Sequence, residues 1–311
     1  MNTTPLLVIV GPTASGKTAL AINLAKRYRG EPVERFAQDA IRDIPHAQIK
    51  VLCQDESMNC LDIALDGVSG GEVISADSRQ VYKGFDVTTC KATTEEIQGV
   101  PHHLMSFVPL SRTYTVSDFR QDADAAIAAI AERGRLPIVA GGTMFYVKAL
   151  LYNNVFAEVP PNPVLRDELL KHDAEALFAM LQARDPHRAQ TIDPSNKVRL
   201  VRALEIVEAL GAVPDLPQRT PRYPAVIITL SPPRETLRAR IRARVESRLD
   251  TMLAEIASAR DSLTPDTARR LGFDFTLCLS HVDGNLSREE LIDRLTAADW
   301  QLAKRQVRWF N

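Results

Sequence analysis

Residues 6–18, LLVIVGPTASGKT, decide the fold of this chain. The apolar run LLVIV is typical of a buried parallel strand. The residues after it fit the pattern G-x-x-x-x-G-K-[ST] completely, and KTALAINLAKRY, which continues the chain, has helical spacing. In a strand, glycine-rich loop and helix of this kind, the loop amides and the helix N-terminus face an anion. The sequence therefore predicts a phosphate-binding loop.

The candidate phosphate site consists of consecutive residues. They are Gly11, Pro12, Thr13, Ala14, Ser15, Gly16, Lys17 and Thr18. Lys17 adds a mobile positive charge, and the Thr18 hydroxyl can ligate Mg²⁺. The motif does not tell whether the bound phosphate is transferred or leaves, so the substrate stays open at this point.

Further buried runs continue the pattern. EVISA (72–76) and RLPIVAGG (135–142) predict strands, and residues 115–134 between them predict an amphipathic helix capped by Thr115 or Ser117. Its predicted apolar stripe is Phe119, Ala123, Ile127 and Ile130. This order predicts an α/β fold, a P-loop NTPase-like parallel sheet flanked by helices.

Two segments interrupt the alternation of strands and helices. Residues 31–70 carry a helix-like piece and a strand-like piece, and we expect them to form a surface insertion in a crossover connection. Residues 151–195 are punctuated by proline and otherwise helical, and we expect a small inserted helical domain there. The catalytic core would then comprise residues 1–150 and 196–311.

The composition excludes several classes of protein. The net charge of −1 gives no global basic field of the kind that a general nucleic-acid binder carries. Four cysteines without a CxxC pair suit free thiols in a reducing compartment. The spacing of His46, Cys53 and Cys60 matches no common zinc site, which favours buried thiols. The start of the chain resembles neither a leader nor a membrane span, so we expect a cytoplasmic protein without membrane contact. We also expect a monomer.

Other candidate site residues follow strands or share a helical face. Asp77 and Thr143 come directly after predicted strands, and the carboxyl ends of parallel strands converge on a ligand crevice. Asp77 fits a catalytic carboxylate and a helix cap or turn residue equally well. Arg240, Arg244 and Arg248 recur every four residues and therefore share one helical face. The adjacent histidines of GVPHHL (99–104) are expected to pack and bond locally.

Taken together, the motifs resemble the tRNA dimethylallyltransferase family, also called tRNA isopentenyltransferases. The resemblance runs through GPTASGKT, GEVISADSRQVYKGFDV, GVPHHLMSFV, YTVSDFRQDA, GRLPIVAGGTMFYVKALL, VPPNPVLRDEL, NKVRLVRALEI, SPPRETLRARIRARV and LAKRQVRWF. It covers most of the chain except residues 31–70.

The resemblance implies that the loop holds the diphosphate of dimethylallyl diphosphate, which leaves. The dimethylallyl group goes to N6 of the adenosine 3′ of the anticodon (position 37) in tRNAs that read codons beginning with U. By analogy with the family, Asp77 is the general base. The resemblance also implies that Lys17, Thr143, Arg244 and Mg²⁺ held by Thr18 meet the charge that develops on the leaving group.

The resemblance also implies an anticodon stem-loop of tRNA as the partner. The positions that align with RNA-contacting residues are Asp77, Ser78, Arg79, Gln80, Thr143, Val198, Arg199, Leu200, Val201, Arg202, Arg269, Arg270, Lys304, Arg305 and Arg308. Because the modified base must reach the site, it has to leave its stack.

The chain departs from the family pattern in a few places. DVTTCKA (86–92) stands where the family has DIGTAKP, and LGFDF (271–275) stands where it has IGYKE, which puts Asp274 at a basic or neutral position. Three alternatives stay open: an adenylate-type isopentenyltransferase, a small-molecule kinase, and a non-catalytic paralogue that binds RNA.

Overall fold

The computed structural model describes residues 4–52, 69–153, 159–215 and 220–310. The chain divides into two compact units, Met1–Asn153 with Thr220–Asn311, and Asn154–Arg219. Cys53 and Cys60 lie outside the described residues, so the expectation about their thiols is not addressed by the structure. Among the helices that the structure describes, none is both long and apolar enough to cross a membrane.

A six-stranded sheet forms the centre of the first unit, in the order β2-β6-β1-β5-β3-β4. The strands are β1 (Leu6–Val10), β2 (Ala47–Leu52), β3 (Gly71–Ser75), β4 (His102–His103), β5 (Leu136–Gly141) and β6 (Ala225–Leu230). All neighbours pair in parallel except β2, which pairs antiparallel to β6. The predicted parallel sheet is confirmed, with one antiparallel strand at its edge.

The helices follow the strands along the chain. They are α1 (Lys17–Arg27), α2 (Val33–Ile41), α3 (Thr94–Ile97), α4 (Val116–Glu132), α5 (Met144–Leu151), α6 (Pro163–Leu169), α7 (Ala174–Arg184), α8 (Pro186–Ala189), α9 (Lys197–Leu210), α10 (Arg234–Ser258), α11 (Pro265–Leu271), α12 (Phe273–Val282) and α13 (Arg288–Phe310). Thr115 caps α4 in a reciprocal bond with Asp118, and the four predicted stripe residues of α4 are buried.

Both faces of the sheet are covered. On β1, Leu6, Val8 and Val10 belong to one buried cluster, which includes residues of α4, α5, α10 and α12. Leu7 and Ile9 belong to a second cluster, built with residues of α1 and α2. Because successive side chains of a strand point to opposite faces, a strand covered on both sides is apolar throughout, as LLVIV is.

The expectation that residues 31–70 form a surface insertion is wrong for the part that the structure describes. Val33, Phe36 and Ala37 of α2 are buried in the second cluster. β2 pairs along its whole length with β6, from Ala47 opposite Leu230 to Leu52 opposite Ala225. An amphipathic helix and an alternating strand can each bury an apolar face, so this segment extends the core.

The second unit contains α6–α9 around its own apolar cluster. That cluster includes Leu177 and Leu181 of α7 together with Leu200, Val201 and Leu204 of α9. The expected boundary at residue 195 is therefore corrected to Arg219, because α9 supplies one side of the cluster. The four helices begin at side-chain caps, namely Asn162, Asp173, Asp185 and Asn196.

Candidate active site

A cavity of about 1200 Å³ opens in the first unit and brings the predicted site residues together. Its lining includes the phosphate-binding loop from Thr13 to Thr18, Asp77, Thr143 and Arg244. These residues come from the loop after β1, the turn after β3, the end of β5 and from α10. The predicted convergence of the loop, Asp77 and Thr143 is confirmed.

Strand register explains why the three strand ends meet. Val10 pairs with Gly141, and Ser75 pairs with Ala140, so β1, β3 and β5 end at nearly the same level. A Cβ on Gly141 would overlap the carbonyl of Ala76. Only glycine therefore allows the backbone at the end of β5 to approach the backbone after β3 this closely.

The phosphate-binding loop is a tight backbone cradle, which we define as residues 11–18. A Cβ on Gly11 would lie 2.7 Å from the carbonyl oxygen of Leu230. Ala14 and Gly16 adopt left-handed φ values of 61° and 94°, which turn successive amides in one direction. The buried Ser15 hydroxyl has no hydrogen-bond partner among the described residues. A cradle of this shape is built to receive an anion.

Lys17 places its ammonium group at the cradle. Its Nζ donates to the carbonyl of Pro12 at 2.7 Å. Burial lowers the pKa of Lys17 to about 8, and the positive charge of Arg244 adds to this effect, whereas Asp77 opposes it. Thr18, the next residue, is exposed at the cavity. A dianionic ligand in the cradle would favour the charged form of Lys17.

Asp77 is both a turn residue and a cavity residue. Its Oδ1 accepts hydrogen bonds from the amides of Arg79 at 2.9 Å and Gln80 at 3.3 Å. The structure records no hydrogen bond to Oδ2 from the described residues. The capping bonds therefore occupy one oxygen of the carboxylate, while the carboxylate as a whole lines the cavity.

Thr143 ties the turn at residues 77–80, which we call the Asp77 turn, to the end of β5. The amide of Ser78 donates to Thr143 Oγ1 at 3.0 Å, and the amide of Thr143 donates to the carbonyl of Ala76 at 3.2 Å. These bonds fix the turn that follows β3 against the end of β5. Thr143 thus contributes to the geometry of the turn as well as to the cavity wall.

The predicted arginine face of α10 lines the cavity. Arg240, Arg244 and Arg248 all contribute to its wall. Arg244 Nη2 donates to Thr13 Oγ1 at 2.7 Å and pairs with Asp299 at 2.9 Å, so its guanidinium lies beside the cradle. The four-residue spacing therefore indicated a shared face correctly.

Sequence reasoning did not single out Gln306 or Asp299, both on α13, although Gln306 lies in the matching segment LAKRQVRWF. Gln306 Oε1 accepts from the Thr13 amide at 2.8 Å, and its Nε2 donates to the Gly142 carbonyl at 2.9 Å. Gln306 therefore bridges the cradle and the end of β5. Neither residue belongs to a spacing pattern that could have indicated these contacts, which join positions 293 residues apart in the case of Thr13.

The altered segment 86–92 packs against the same cavity. The Glu255 carboxylate accepts from the amides of Val87 and Thr88, each at 2.8 Å. Gln80 Nε2 donates to the Cys90 carbonyl at 3.0 Å. The departures from the family pattern therefore leave the segment anchored to α10 and to the Asp77 turn.

The positions aligned with RNA contacts in the first unit fall into distinct environments. Arg269 is exposed and pairs with Asp266 on its own helix. Arg270 donates to the hydroxyl of Tyr82 at 3.1 Å and to two loop carbonyls, so it anchors α11. On α13, Arg305 and Arg308 are exposed and Lys304 is half-buried.

The aligned positions in the second unit also differ among themselves. Val198 and Arg199 are exposed at the start of α9. Arg202 pairs with Glu205 and donates to the Val159 carbonyl at 2.7 Å. Leu200 and Val201 are buried in the cluster of this unit. Their assignment as RNA contacts is corrected, because their side chains pack inside the apolar cluster of this unit.

The paired histidines make local contacts, as expected. His102 Nδ1 lies 2.8 Å from the Val100 carbonyl, and His103 Nε2 lies 2.7 Å from Glu72 Oε2. Neither histidine lines the cavity. Among the described residues, no cluster of three or more His, Cys, Asp or Glu side chains could hold a metal ion.

The sequence model of the IPP transferase family matches residues 80–311. The chain belongs to this family. It is 39% identical to the tRNA dimethylallyltransferase of Anaeromyxobacter dehalogenans, over 98% of this chain and 90% of that protein. It is 32% identical to the Bacillus subtilis protein of the same name, over 100% of this chain and 90% of that protein. The resemblance seen in the sequence motifs is thereby confirmed.

Solved structures agree with this family membership. A eukaryotic dimethylallyltransferase acting on tRNA matches with a TM-score of 0.74 and 26% identity, over 99% of this chain and 70% of that chain. The tRNA isopentenylpyrophosphate transferase of Bacillus halodurans matches with a TM-score of 0.62 and 32% identity, over 99% and 87%. The predicted P-loop NTPase-like fold is confirmed by these neighbours.

Proposed function

We propose that this IPP transferase moves the dimethylallyl group of dimethylallyl diphosphate to N6 of the adenosine 3′ of the anticodon in tRNA. One observation carries the proposal. A single cavity contains both the anion cradle and the carboxylate of Asp77. The leaving diphosphate can therefore be bound next to a carboxylate that accepts a proton from the amine of the adenine. The names of the relatives supply the substrate class.

The cradle and its cations hold the donor. Loop amides bind the diphosphate oxygens, and Lys17 and Arg244 lie where they can meet the charge that develops as the C–O bond breaks. The electron pair of that bond leaves with the diphosphate. This role explains why Arg244 is fixed on both sides, by Thr13 and by Asp299.

Asp77 serves the acceptor. The exocyclic amine of adenine is a weak nucleophile because its lone pair is delocalised into the ring. As N6 bonds to the allylic carbon it must lose a proton, and the carboxylate of Asp77 accepts that proton. The bonds to Oδ1 hold the carboxylate in a fixed orientation while the reaction proceeds.

The donor set of the cavity fits Mg²⁺ in its usual mode of binding to phosphates. Mg²⁺ takes few protein ligands and several oxygens from phosphate and water. The exposed Thr18 hydroxyl next to the cradle suits such a site, whereas a cage made only of protein ligands is not present among the described residues. Bound there through Thr18, Mg²⁺ would neutralise charge on the leaving diphosphate.

The transfer assay tests this proposal. Purified protein is incubated with dimethylallyl diphosphate and an anticodon stem-loop, and the RNA is analysed by mass spectrometry. We expect one five-carbon group on the target adenosine and none on a stem-loop with guanosine at that position. Prenylation of free AMP instead would favour the adenylate-type enzyme. An unmodified RNA together with rapid ATP hydrolysis would favour a kinase.

A further inference from the structure

The guanidinium of Arg79 lies in a fitted socket in the cavity wall. Asp274 Oδ2 forms an ion pair with Arg79 Nη1, and the guanidinium carbon lies 4.7 Å from the ring centroid of Phe273. A Cβ on Gly272 would lie 3.0 Å from two atoms of the same guanidinium. We call Gly272, Phe273 and Asp274 the Arg79 socket. The socket combines a stacking surface, a carboxylate and the space that a side chain would fill.

The carboxylate of the socket is deeply buried. Asp274 is 7% exposed. The other charged or titratable groups that face it are Arg244 and Arg248 on α10, Asp299 on α13 and Cys278 on α12 itself. Among the described residues, Arg79 is the cation in direct contact with this carboxylate. A buried charge that loses its partner is strongly unfavourable, so the pair holds the guanidinium firmly in place.

Arg79 also belongs to the Asp77 turn. Its backbone amide donates to Asp77 Oδ1 at 2.9 Å, while its side chain is held by the socket. The same residue therefore joins the junction of α11 and α12 to the carboxylate that faces the acceptor. Movement of the Arg79 side chain would be transmitted to that carboxylate through a single residue.

We propose that Asp274 is a positioning residue, which orients the Asp77 turn toward the acceptor base by holding Arg79. This inference rests on the function proposed above and extends it to a residue at which the chain departs from the family pattern. It assigns Asp274 to the acceptor side of the cavity, because its direct bond is to Arg79, whereas Arg244 at the cradle interacts with it only through charge.

Because the charge of Asp274 changes with pH, the turnover of the acceptor should depend on pH. Burial raises its pKa to about 6; Arg79 opposes this shift, and Asp299 adds to it. Below that pH the carboxyl group is neutral, and its hold on Arg79 weakens. Because the folded state then binds the proton more tightly than the unfolded state, this protonation does not destabilise the fold. Acceptor turnover should fall in a protein that stays folded.

The test compares Asp274→Asn with the native chain. Stem-loop kcat/KM is measured from about pH 5 to about pH 8, and binding of inorganic diphosphate is measured by calorimetry. At neutral pH we expect kcat/KM for the stem-loop to fall about tenfold, with diphosphate affinity within about twofold. The decline below about pH 6 should disappear in the variant, because the titrating group is gone.

Asp250→Asn is the matched control. It removes the charge of an exposed carboxylate on α10, which pairs with Arg288 at 2.6 Å and does not line the cavity. We expect native kinetics at every pH. If Asp274→Asn does not fold, Phe273→Leu removes the stacking surface and retains the carboxylate. That variant should lower stem-loop kcat/KM about threefold and keep the decline near pH 6.

Two results would overturn the positioning role. One is a decline near pH 6 that persists in Asp274→Asn, and the other is an equal loss of diphosphate and stem-loop binding. Failure of the proposed function looks different, because the native chain would then transfer nothing. In that case the ¹⁵Nε resonance of Arg79 still reports on the socket, and its chemical shift should change near pH 6, as Asp274 is protonated, in the native chain but not in Asp274→Asn.

Discussion

The cradle and the Asp77 turn, residues 77–80, line one cavity but are held in different ways. The cradle is a run of consecutive residues shaped by its own glycines and by the start of α1. The turn is held by two residues that are distant in sequence. Thr143 bonds to Ser78, 65 residues away, and Asp274 bonds to Arg79, 195 residues away. The backbone shape of the cradle therefore comes from residues close in sequence, with added contacts from Arg244 and Gln306 to Thr13, whereas the turn is fixed by residues far away in the chain.

The two regions also differ in the charges that they present. Lys17 and Arg244 lie at the cradle, whereas the carboxylates of Asp77 and Asp274 lie at the turn. This separation suits a reaction in which an anion leaves on one side and a proton is removed on the other. We therefore expect changes at the cradle to impair use of the donor and changes at the turn to impair use of the acceptor.

The largest expected effect is that of Asp77→Asn. Asparagine keeps the oxygen that accepts from the Arg79 and Gln80 amides, so the turn is retained while the base is removed. We expect the single-turnover rate to fall about 10³-fold, with inorganic diphosphate affinity unchanged. Asp173→Asn, the same change at the cap of α7, is the control. A native rate in Asp77→Asn would show that the carboxylate holds the turn and is not the general base.

Lys17→Met, a change at the cradle, should have the next largest effect. Loss of one preorganised cation should lower kcat about 10²-fold, or on the order of 3 kcal/mol. Lys50→Met, at an exposed lysine of β2, is the control. Donor affinity measured with inorganic diphosphate should fall in Lys17→Met and stay native in Asp77→Asn. If both variants lose donor affinity equally, the two regions are not independent.

The pH dependence of donor use checks the role of Lys17 in another way. Because burial lowers the pKa of Lys17 to about 8, the free protein loses this charge above that pH. We expect kcat/KM for dimethylallyl diphosphate to decline above about pH 8, and kcat to decline less, because bound diphosphate favours the charged lysine. Lys17→Arg should remove the alkaline decline, since arginine stays charged.

The same contrast explains how much the sequence could predict. The cradle, the β1–α1 unit and the arginine face of α10 follow from short-range spacing, so they could be placed before the fold was known. Gln306 and Asp274 act through partners far away in the chain, and no spacing rule connects such pairs. β2 could be predicted as a strand, but not its antiparallel place beside β6, because strand order depends on which edge is free.

Gln306→Ala tests the bridge between the two regions, with a smaller expected effect. Its side chain bonds to Thr13 in the cradle and to Gly142 beside the turn. Two lost hydrogen bonds are worth about 1 to 2 kcal/mol, so we expect roughly a tenfold loss in kcat/KM for donor and acceptor alike. Gln301→Ala, at an exposed position of the same helix, should leave both values native. A loss confined to one substrate would assign Gln306 to one region only.

The smallest expected effect is that of Arg199→Ala, which asks whether the second unit serves the acceptor. Arg199 is exposed at the start of α9 and aligns with an RNA-contacting position of the family. If its guanidinium binds an RNA phosphate, its loss should weaken stem-loop binding only a few-fold and lower the slope of log Kd against log salt by about 1. Arg184→Ala is the matched control, because Arg184 is an exposed arginine of the same unit that pairs with Glu208. Binding of inorganic diphosphate should be native in both variants. An unchanged salt slope in Arg199→Ala would remove this arginine from the acceptor surface and leave RNA recognition to the first unit.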